Sequence, residues 1–148
     1  MDAIKTFGAI GTGIIGLGWI ARALSKGLDV VAYDPDPNAE NRVHSNLKKI
    51  WPILTKIGIS SEASIEKLKF CGSLQDVAVS AQFIQESVPE RINIKQDIYS
   101  EVSRFASENV ILASSTSGLL PSDFQFNCRF PERILVGHPF NPVYLLPL

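Results

Sequence analysis

The sequence is poor in cysteine and histidine, and it has no excess of charge of either sign. Two cysteines, Cys71 and Cys128, occur among its 148 residues. Neither lies in a paired motif or at a metal-ligand spacing from a histidine, which argues against a disulfide framework and predicts no metal site. Thiols of this kind are typical of small buried side chains in a reducing cytoplasm, where we expect this protein to lie. Fourteen basic and fifteen acidic residues give a net charge of −1 without a basic cluster, so neither nucleic acid nor an anionic membrane is a favoured partner.

Charge is also missing from one long stretch, between Lys5 and Arg22. An uncharged segment at this position could be the core of a signal peptide. It is too short to cross a bilayer, glycine recurs throughout it, and it continues into further predicted helix and strand without a cleavage region. We therefore interpret it as part of the folded domain.

Two catalytic patterns are absent as well. The Tyr-x-x-x-Lys pair of short-chain dehydrogenases is missing, because Tyr99 is followed four positions later by Ser103. No G-x-S-x-G sequence surrounds the hydroxyl run at residues 114–117, which argues against a hydrolase nucleophile.

The uncharged stretch contains an apolar strand, a glycine turn and the start of an apolar helix. Its glycines have the G-x-G-x-x-G spacing of dinucleotide-binding sites. The first glycine permits a tight turn, the second lets a pyrophosphate approach the backbone, and the third allows close packing, with the phosphates at the helix N-terminus. We call residues 11–16 the glycine turn and predict that each of them binds the cofactor: Gly11, Thr12, Gly13, Ile14, Ile15 and Gly16.

An acidic residue follows at the position that this motif requires. Asp34 closes the apolar run at residues 28–33, and its carboxylate can accept hydrogen bonds from an adenosine ribose diol. A 2′-phosphate would meet that carboxylate at close range, and the neighbours Pro35, Asp36 and Pro37 supply no positive charge. The pattern therefore predicts NAD as the cofactor, with Asp34 among its binding residues.

Apolar runs alternate with amphipathic or polar segments along the whole chain, which is typical of a parallel sheet covered by helices on both faces. The predicted strands are residues 4–10, 28–33, 68–71, 83–86, 110–113 and 134–137. The predicted helices are residues 14–26, 38–57 with a kink or restart at Pro52, 61–67 and 91–106, and residues 73–79 are predicted as a short connector. No repeat or linker divides the chain. We therefore predict an α/β fold with a Rossmann-type, doubly wound, mostly parallel sheet in one NAD-binding domain over residues 1–148.

Polar residues follow several of these strands, and the carboxyl ends of parallel strands share one crevice. They include the four hydroxyls of residues 114–117, which serve either as turn and cap residues or as contacts to a substrate alcohol or a nicotinamide carboxamide. Pro89 separates Glu86 from Glu90 and argues against a close catalytic pair of carboxylates. Taken alone, Glu90 and Lys95 are interpreted as surface charges.

His138 is the strongest candidate for proton transfer. The sequence has two histidines, and the other, His44, lies in a polar, amphipathic helix. His138 leaves an apolar strand, and Pro139 and Pro142 favour extended, stiff backbone around it and around Asn141. A histidine with a pKa near its usual value of about 6.5 is suited to removing the proton of an alcohol near neutral pH. A purely structural histidine is the alternative.

Taken together, four segments resemble the 3-hydroxyacyl-CoA dehydrogenase superfamily: the glycine turn, residues 84–90, residues 114–117, and the His-Pro-Phe-Asn-Pro sequence at residues 138–142. Residues 18–24, 27–32 and 137–148 are similar to its carnitine-oxidising branch. The branch that contains lambda-crystallin and oxidises L-gulonate shares two of these patterns but typically lacks the phenylalanine of residue 140. The resemblance covers essentially the whole chain.

The resemblance implies a role for several residues and a reaction. His138 matches the catalytic base, Ser117 the contact to the substrate hydroxyl, and Asn141 a residue near the nicotinamide. Glu90 and Lys95 match contacts to the cofactor. The implied reaction is NAD-dependent oxidation of the small molecule L-carnitine to 3-dehydrocarnitine.

The family pattern continues with a glutamate that orients the histidine and a helical C-terminal domain that closes the pocket and forms a homodimer. The sequence ends at Leu148, before either. We therefore expect a fragment of a longer product that binds NAD but by itself turns over carnitine negligibly. Two alternatives stay open: another 3-hydroxy acid such as L-gulonate as the substrate, or a non-catalytic NAD-binding module.

Overall fold

The computed structural model describes residues 3–146. Within this part of the chain, six parallel strands form one sheet in the order β3-β2-β1-β4-β5-β6. The strands are β1 (Thr6–Ile10), β2 (Asp29–Tyr33), β3 (Leu68–Phe70), β4 (Phe83–Glu86), β5 (Ile111–Ser114) and β6 (Ile134–Val136). The strand order reverses direction between β1 and β4, and this switch point is where such a sheet binds its ligand.

Helices cover both faces of the sheet. They are α1 (Ile14–Ser25), α2 (Ala39–Ile57), α3 (Leu74–Ser80), α4 (Ile92–Phe105) and α5 (Pro121–Phe124). The side chains of β1 alternate between the two layers, as the pleat of a strand requires. Phe7 and Ala9 pack with α1 and α2, whereas Ile10 packs with α3, α4 and α5. This architecture confirms the predicted Rossmann-type α/β fold.

The predicted segment at residues 73–79 is a helix, α3, and its interpretation as a connector is wrong. Ser73 caps this helix, because its Oγ accepts a hydrogen bond from the amide of Asp76 at 3.1 Å. Residues 61–67 do not form the predicted short helix. Only a 3₁₀ turn, Ile65–Lys67, is present, and Ser64 caps it. Helix α2 runs through Pro52 without a break, and the short helix α5 was not predicted. The ends of the six strands and of α1, α2 and α4 agree with the prediction to within two residues.

Among the residues described here, no helix combines the length and the apolar character needed to cross a bilayer. Pro147 and Leu148, the last two residues of the segment used for the family resemblance, lie outside the described residues.

Candidate functional site

The glycine turn joins β1 to α1, and two of its glycines are required by the fold itself. Gly11 has φ +81°, and a Cβ there would lie 2.7 Å from the Ser87 carbonyl oxygen. A Cβ on Gly16 would lie 1.9 Å from the Gly11 carbonyl oxygen. No atom lies within 4 Å of the place where a Cβ of Gly13 would be, so open space is present above that residue. This is the space into which a pyrophosphate would fit.

A cavity of about 750 Å³ opens over the glycine turn. Helix α1 points its N-terminus toward it, with no side-chain cap and no acidic residue in the first turn. Its free amides are suited to binding an anion. The cavity is lined by residues 10–15, 33–36 and 87–89 and by Arg42, Leu74, Ile94 and Ile98. An anion site at one end and apolar walls beyond it fit a dinucleotide.

Asp34 is anchored to the glycine turn. Its Oδ2 accepts hydrogen bonds from both the amide and the hydroxyl of Thr12, each at 2.8 Å, and its Oδ1 accepts one from the Asp36 amide at 3.0 Å. The carboxylate is thereby held at the end of β2, beside the turn. This arrangement brings Thr12 and Asp34 together as the glycine motif predicts.

Arg42 also lines this cavity, and sequence reasoning missed it. It lies on the first turns of α2 and forms an ion pair with Asp36 through Nη1 and Oδ2. The hydrogen bond from Arg42 lowers the pKa of Asp36, and the bond from the Asn38 amide adds to this effect. The three residues that follow Asp34 carry no positive charge, but α2 brings Arg42 back beside Asp36 at the edge of the cavity.

Lys95 is buried, and its interpretation as a surface charge is wrong. The residue is 1% exposed, and its Nζ donates to both carboxylate oxygens of Glu86 at 2.8 Å. It also donates to the Ser114 hydroxyl at 3.2 Å, which itself donates to Glu86 at 2.7 Å. Such a buried charge requires partners because burial removes its hydration. Lys95, Tyr99 and Val102 form the buried face of α4, and this helical spacing was the available signal. A contact between Lys95 and the cofactor stays a prediction.

Glu90 connects this buried pair to the loop after β5, which we call the serine loop (residues 115–118). Its Oε1 accepts hydrogen bonds from the Thr116 hydroxyl and from the amides of Ser117 at 3.2 Å and Gly118 at 3.4 Å. Its Oε2 lies 3.5 Å from the Lys95 Nζ. Partial burial raises the pKa of Glu90, but the hydrogen bonds from the serine loop and the Lys95 charge together outweigh it, so the net pKa is lowered. The carboxylate holds the serine loop in place and leaves Ser117 exposed.

His138 follows β6 and is exposed, with its Nδ1 3.1 Å from the Ser115 carbonyl oxygen. A carbonyl only accepts, so this contact is a hydrogen bond when Nδ1 carries the proton. The lone pair then lies on Nε2, which is the state that a general base requires. Asn141 is exposed in the loop three residues further on, and the peptide bond between it and Pro142 is cis.

Gln85, which sequence reasoning also missed, contacts Ser115 and Gly137, the residues that adjoin His138. Its side chain is buried, and Nε2 donates to the Ser115 hydroxyl at 2.8 Å and to the Gly137 carbonyl at 3.1 Å. The Ser115 hydroxyl also lies 2.8 Å from that of Ser87, whose carbonyl packs against Gly11. A continuous set of contacts therefore runs from the glycine turn to His138 across β1, β4, β5 and β6.

Comparison with known proteins identifies a family and a cofactor. The family model described as 3-hydroxyacyl-CoA dehydrogenase, NAD binding domain, matches residues 6–148. An L-carnitine dehydrogenase of Pseudomonas aeruginosa is 54% identical over 145 residues, which cover 98% of this chain and 45% of that protein. One of Bacillus cereus is 48% identical, with 99% and 45% covered. The chain thus spans about 45% of the length of these curated relatives.

Solved structures agree in fold. An NAD⁺-dependent dehydrogenase and dismutase acting on 5-formyl-3-hydroxy-2-methylpyridine 4-carboxylic acid superposes with a TM-score of 0.85 at 34% identity, covering 96% of this chain and 46% of that one. The 3-hydroxybutyryl-CoA dehydrogenase of Escherichia coli has the same TM-score at 23% identity, covering 95% and 30%, which shows the shared fold. The predicted family and the predicted cofactor, NAD, are confirmed by the family match. The chain therefore belongs to the 3-hydroxyacyl-CoA dehydrogenase family, through the NAD-binding domain of that family.

Proposed function

We propose that the complete gene product is an NAD-dependent dehydrogenase that oxidises L-carnitine to 3-dehydrocarnitine, with this chain as its NAD-binding part. The observation that carries the proposal is the hydrogen bond between His138 Nδ1 and the Ser115 carbonyl. Ser115 in turn contacts Ser87, which lines the cofactor cavity. The His138 hydrogen bond leaves Nε2 as a base at the edge of the sheet where the substrate carbon has to lie. The names of the relatives, all similar over nearly the whole chain, support carnitine as the substrate.

In this proposal the protein handles the proton of the substrate alcohol. The exposed Ser117 hydroxyl binds the substrate oxygen, and His138 Nε2 removes its proton. Asn141 orients the reacting face from the loop after β6. NAD⁺, when bound, supplies the acceptor for the hydride that leaves the substrate carbon. The Ser115 carbonyl stabilises the imidazolium that results, because it accepts a hydrogen bond from Nδ1 in both protonation states.

On the cofactor side, the amides at the start of α1 bind the pyrophosphate and Asp34 binds the adenosine ribose. Glu90 and Lys95 act from the serine-loop side, where they fix residues 116–118 against the crevice. We further propose that the complete protein is a cytoplasmic homodimer and that a second, helical domain holds the substrate.

Activity of the complete gene product with L-carnitine and with L-gulonate tests the substrate, with NADH absorbance as the readout. We expect turnover of L-carnitine. Replacement of the base, His138→Gln, is expected to lower kcat by about 100-fold or more with an unchanged Kd for NAD⁺. His44→Gln is the matched control and is expected to be neutral, because this half-buried side chain lies on α2, outside the proposed site.

Other outcomes would separate the alternatives. Preferred turnover of L-gulonate would mean that L-gulonate, not L-carnitine, is the substrate, with His138 still acting as the base. NAD⁺ binding without any turnover, unaffected by His138→Gln, would identify a non-catalytic module. The 148-residue chain by itself is expected to bind NAD⁺ and to form NADH from carnitine negligibly, so robust NADH formation by this chain alone would contradict the predicted need for a further domain.

A further inference from the structure

The cavity carries opposed charges beside Asp34, the residue proposed above to bind the adenosine ribose. Among the described residues that line it, Arg42 is the single cation, and the carboxylates are those of Asp34 and Asp36. An arginine at this point in a dinucleotide site is the side chain that accommodates a 2′-phosphate. Arg42 is therefore a group that would favour NADP in a domain whose cofactor is NAD.

The carboxylate of Asp36 forms an ion pair with this arginine. Its Oδ2 pairs with Arg42 Nη1, and its Oδ1 accepts a hydrogen bond from the Asn38 amide at 2.9 Å. Its own amide donates to Asp34 at 3.0 Å, so the two carboxylates are held in a fixed relation. The Asp36 carboxylate is thus oriented by the backbone toward the guanidinium.

We propose that Asp36 is a second determinant of the preference for NAD, because it neutralises Arg42 and so withholds that cation from a 2′-phosphate. Asp34 disfavours the 2′-phosphate by direct repulsion. Asp36 disfavours it by pairing with Arg42, the cation that could otherwise bind the phosphate. Both acids must be removed before Arg42 becomes free to form the charge-assisted hydrogen bonds that arginine makes with phosphate.

The test is calorimetric titration of the chain with NAD⁺ and NADP⁺ in the Asp34→Asn background, where repulsion by the first carboxylate is removed. Addition of Asp36→Asn is expected to tighten NADP⁺ binding by about fivefold or more. Asparagine can keep the hydrogen bond from the Asn38 amide through its Oδ1, so the turn is retained. Further addition of Arg42→Gln is expected to abolish this gain.

The matched control is Asp29→Asn, which removes the same charge at the opposite end of β2, where the carboxylate is exposed. It is expected to leave the Kd for NADP⁺ unchanged within about twofold. The proposal is overturned if Asp36→Asn gives no gain, if the gain survives Arg42→Gln, or if Asp29→Asn gives an equal gain. Titration with NAD⁺ verifies that each variant still forms the cofactor site.

Discussion

The two sides of the crevice are built in different ways. On the glycine-turn side the geometry is mostly backbone, and the contacts join the ends of two consecutive strands, β1 and β2. The Gly11 amide donates to the Tyr33 carbonyl at 2.9 Å, and the Thr12 amide donates to Asp34. On the histidine side the contacts are made by buried side chains from segments far apart. Gln85, for example, reaches Gly137, which is 52 residues away.

This difference has a consequence for stability and for function. Backbone geometry depends on residues that permit it, so one added methyl group at Gly11 or Gly16 disrupts the glycine turn. A side-chain network depends on partners that satisfy each other, so its disruption leaves a buried polar group without a partner. Substitutions on the two sides should therefore fail in different ways.

The largest effect is expected on the histidine side, at the buried ion pair. Lys95→Met leaves the Glu86 carboxylate buried without its cation, which should lower the free energy of unfolding by about 3–5 kcal/mol. Urea denaturation measures this change. Lys48→Met, on the exposed face of α2, is the control and should cost less than about 0.5 kcal/mol. Adding Glu86→Gln to Lys95→Met should restore part of the loss, and a cost below about 1 kcal/mol for Lys95→Met would contradict a stabilising role of the pair.

The glycine turn offers a pair of matched substitutions. Gly16→Ala places a methyl group against the Gly11 carbonyl, a backbone group that can move only if the turn itself is distorted. We therefore expect the free energy of unfolding to fall by about 1–3 kcal/mol and NAD⁺ binding to weaken. Gly13→Ala meets no atom within 4 Å, so its stability should be nearly unchanged. Its affinity for NAD⁺ should still fall by about tenfold, because the methyl group occupies the approach of the pyrophosphate. Equal stability losses in the two variants would contradict the inference that Gly16 is required by the fold and Gly13 by the ligand.

Gln85 tests whether the histidine side acts on His138. Gln85→Leu removes the donors to Ser115 and Gly137, and a cost of about 1–2 kcal/mol is expected from the polar groups left unpaired. The ¹⁵N chemical shifts of the His138 ring should show a smaller fraction of the Nδ1-protonated tautomer. Ser87→Ala, which removes only the hydroxyl that bonds Ser115, should change these shifts less. Unchanged shifts in Gln85→Leu would mean that Ser115 holds the ring without help.

The smallest effect concerns pH. The pKa of Glu90 is lowered in the folded chain, so its ionised form contributes stability above the ordinary value of 4.5, and this contribution is lost as the pH falls through the lowered value. The stability difference between the wild type and Glu90→Gln should therefore shrink between about pH 6 and about pH 3. Because the side chain is 45% exposed, solvent screens the interaction and the difference stays small. A difference that grows toward acid pH would contradict the direction of the shift.

The sequence by itself determined the α/β fold, its six strands, the glycine turn, the position of Asp34 after β2, and the position of His138 after the last strand. These features are local, because each depends on a period of apolar residues or on residues that allow one backbone conformation. The short helix α3 was missed because its seven residues hold too few turns for a helical period, even though the Ser73 cap was visible.

Only the tertiary structure decided the partners of the charged and amide side chains. The strand order sets β4 between β1 and β5, which brings Glu86 beside Ser114 and Gln85 beside Ser115 and Gly137. No local pattern encodes such neighbours, because they are contributed by strands whose order along the sheet differs from their order along the chain. Lys95 and Arg42 show the same limit: a charged residue on a helix faces water or a buried partner according to what packs against that helix.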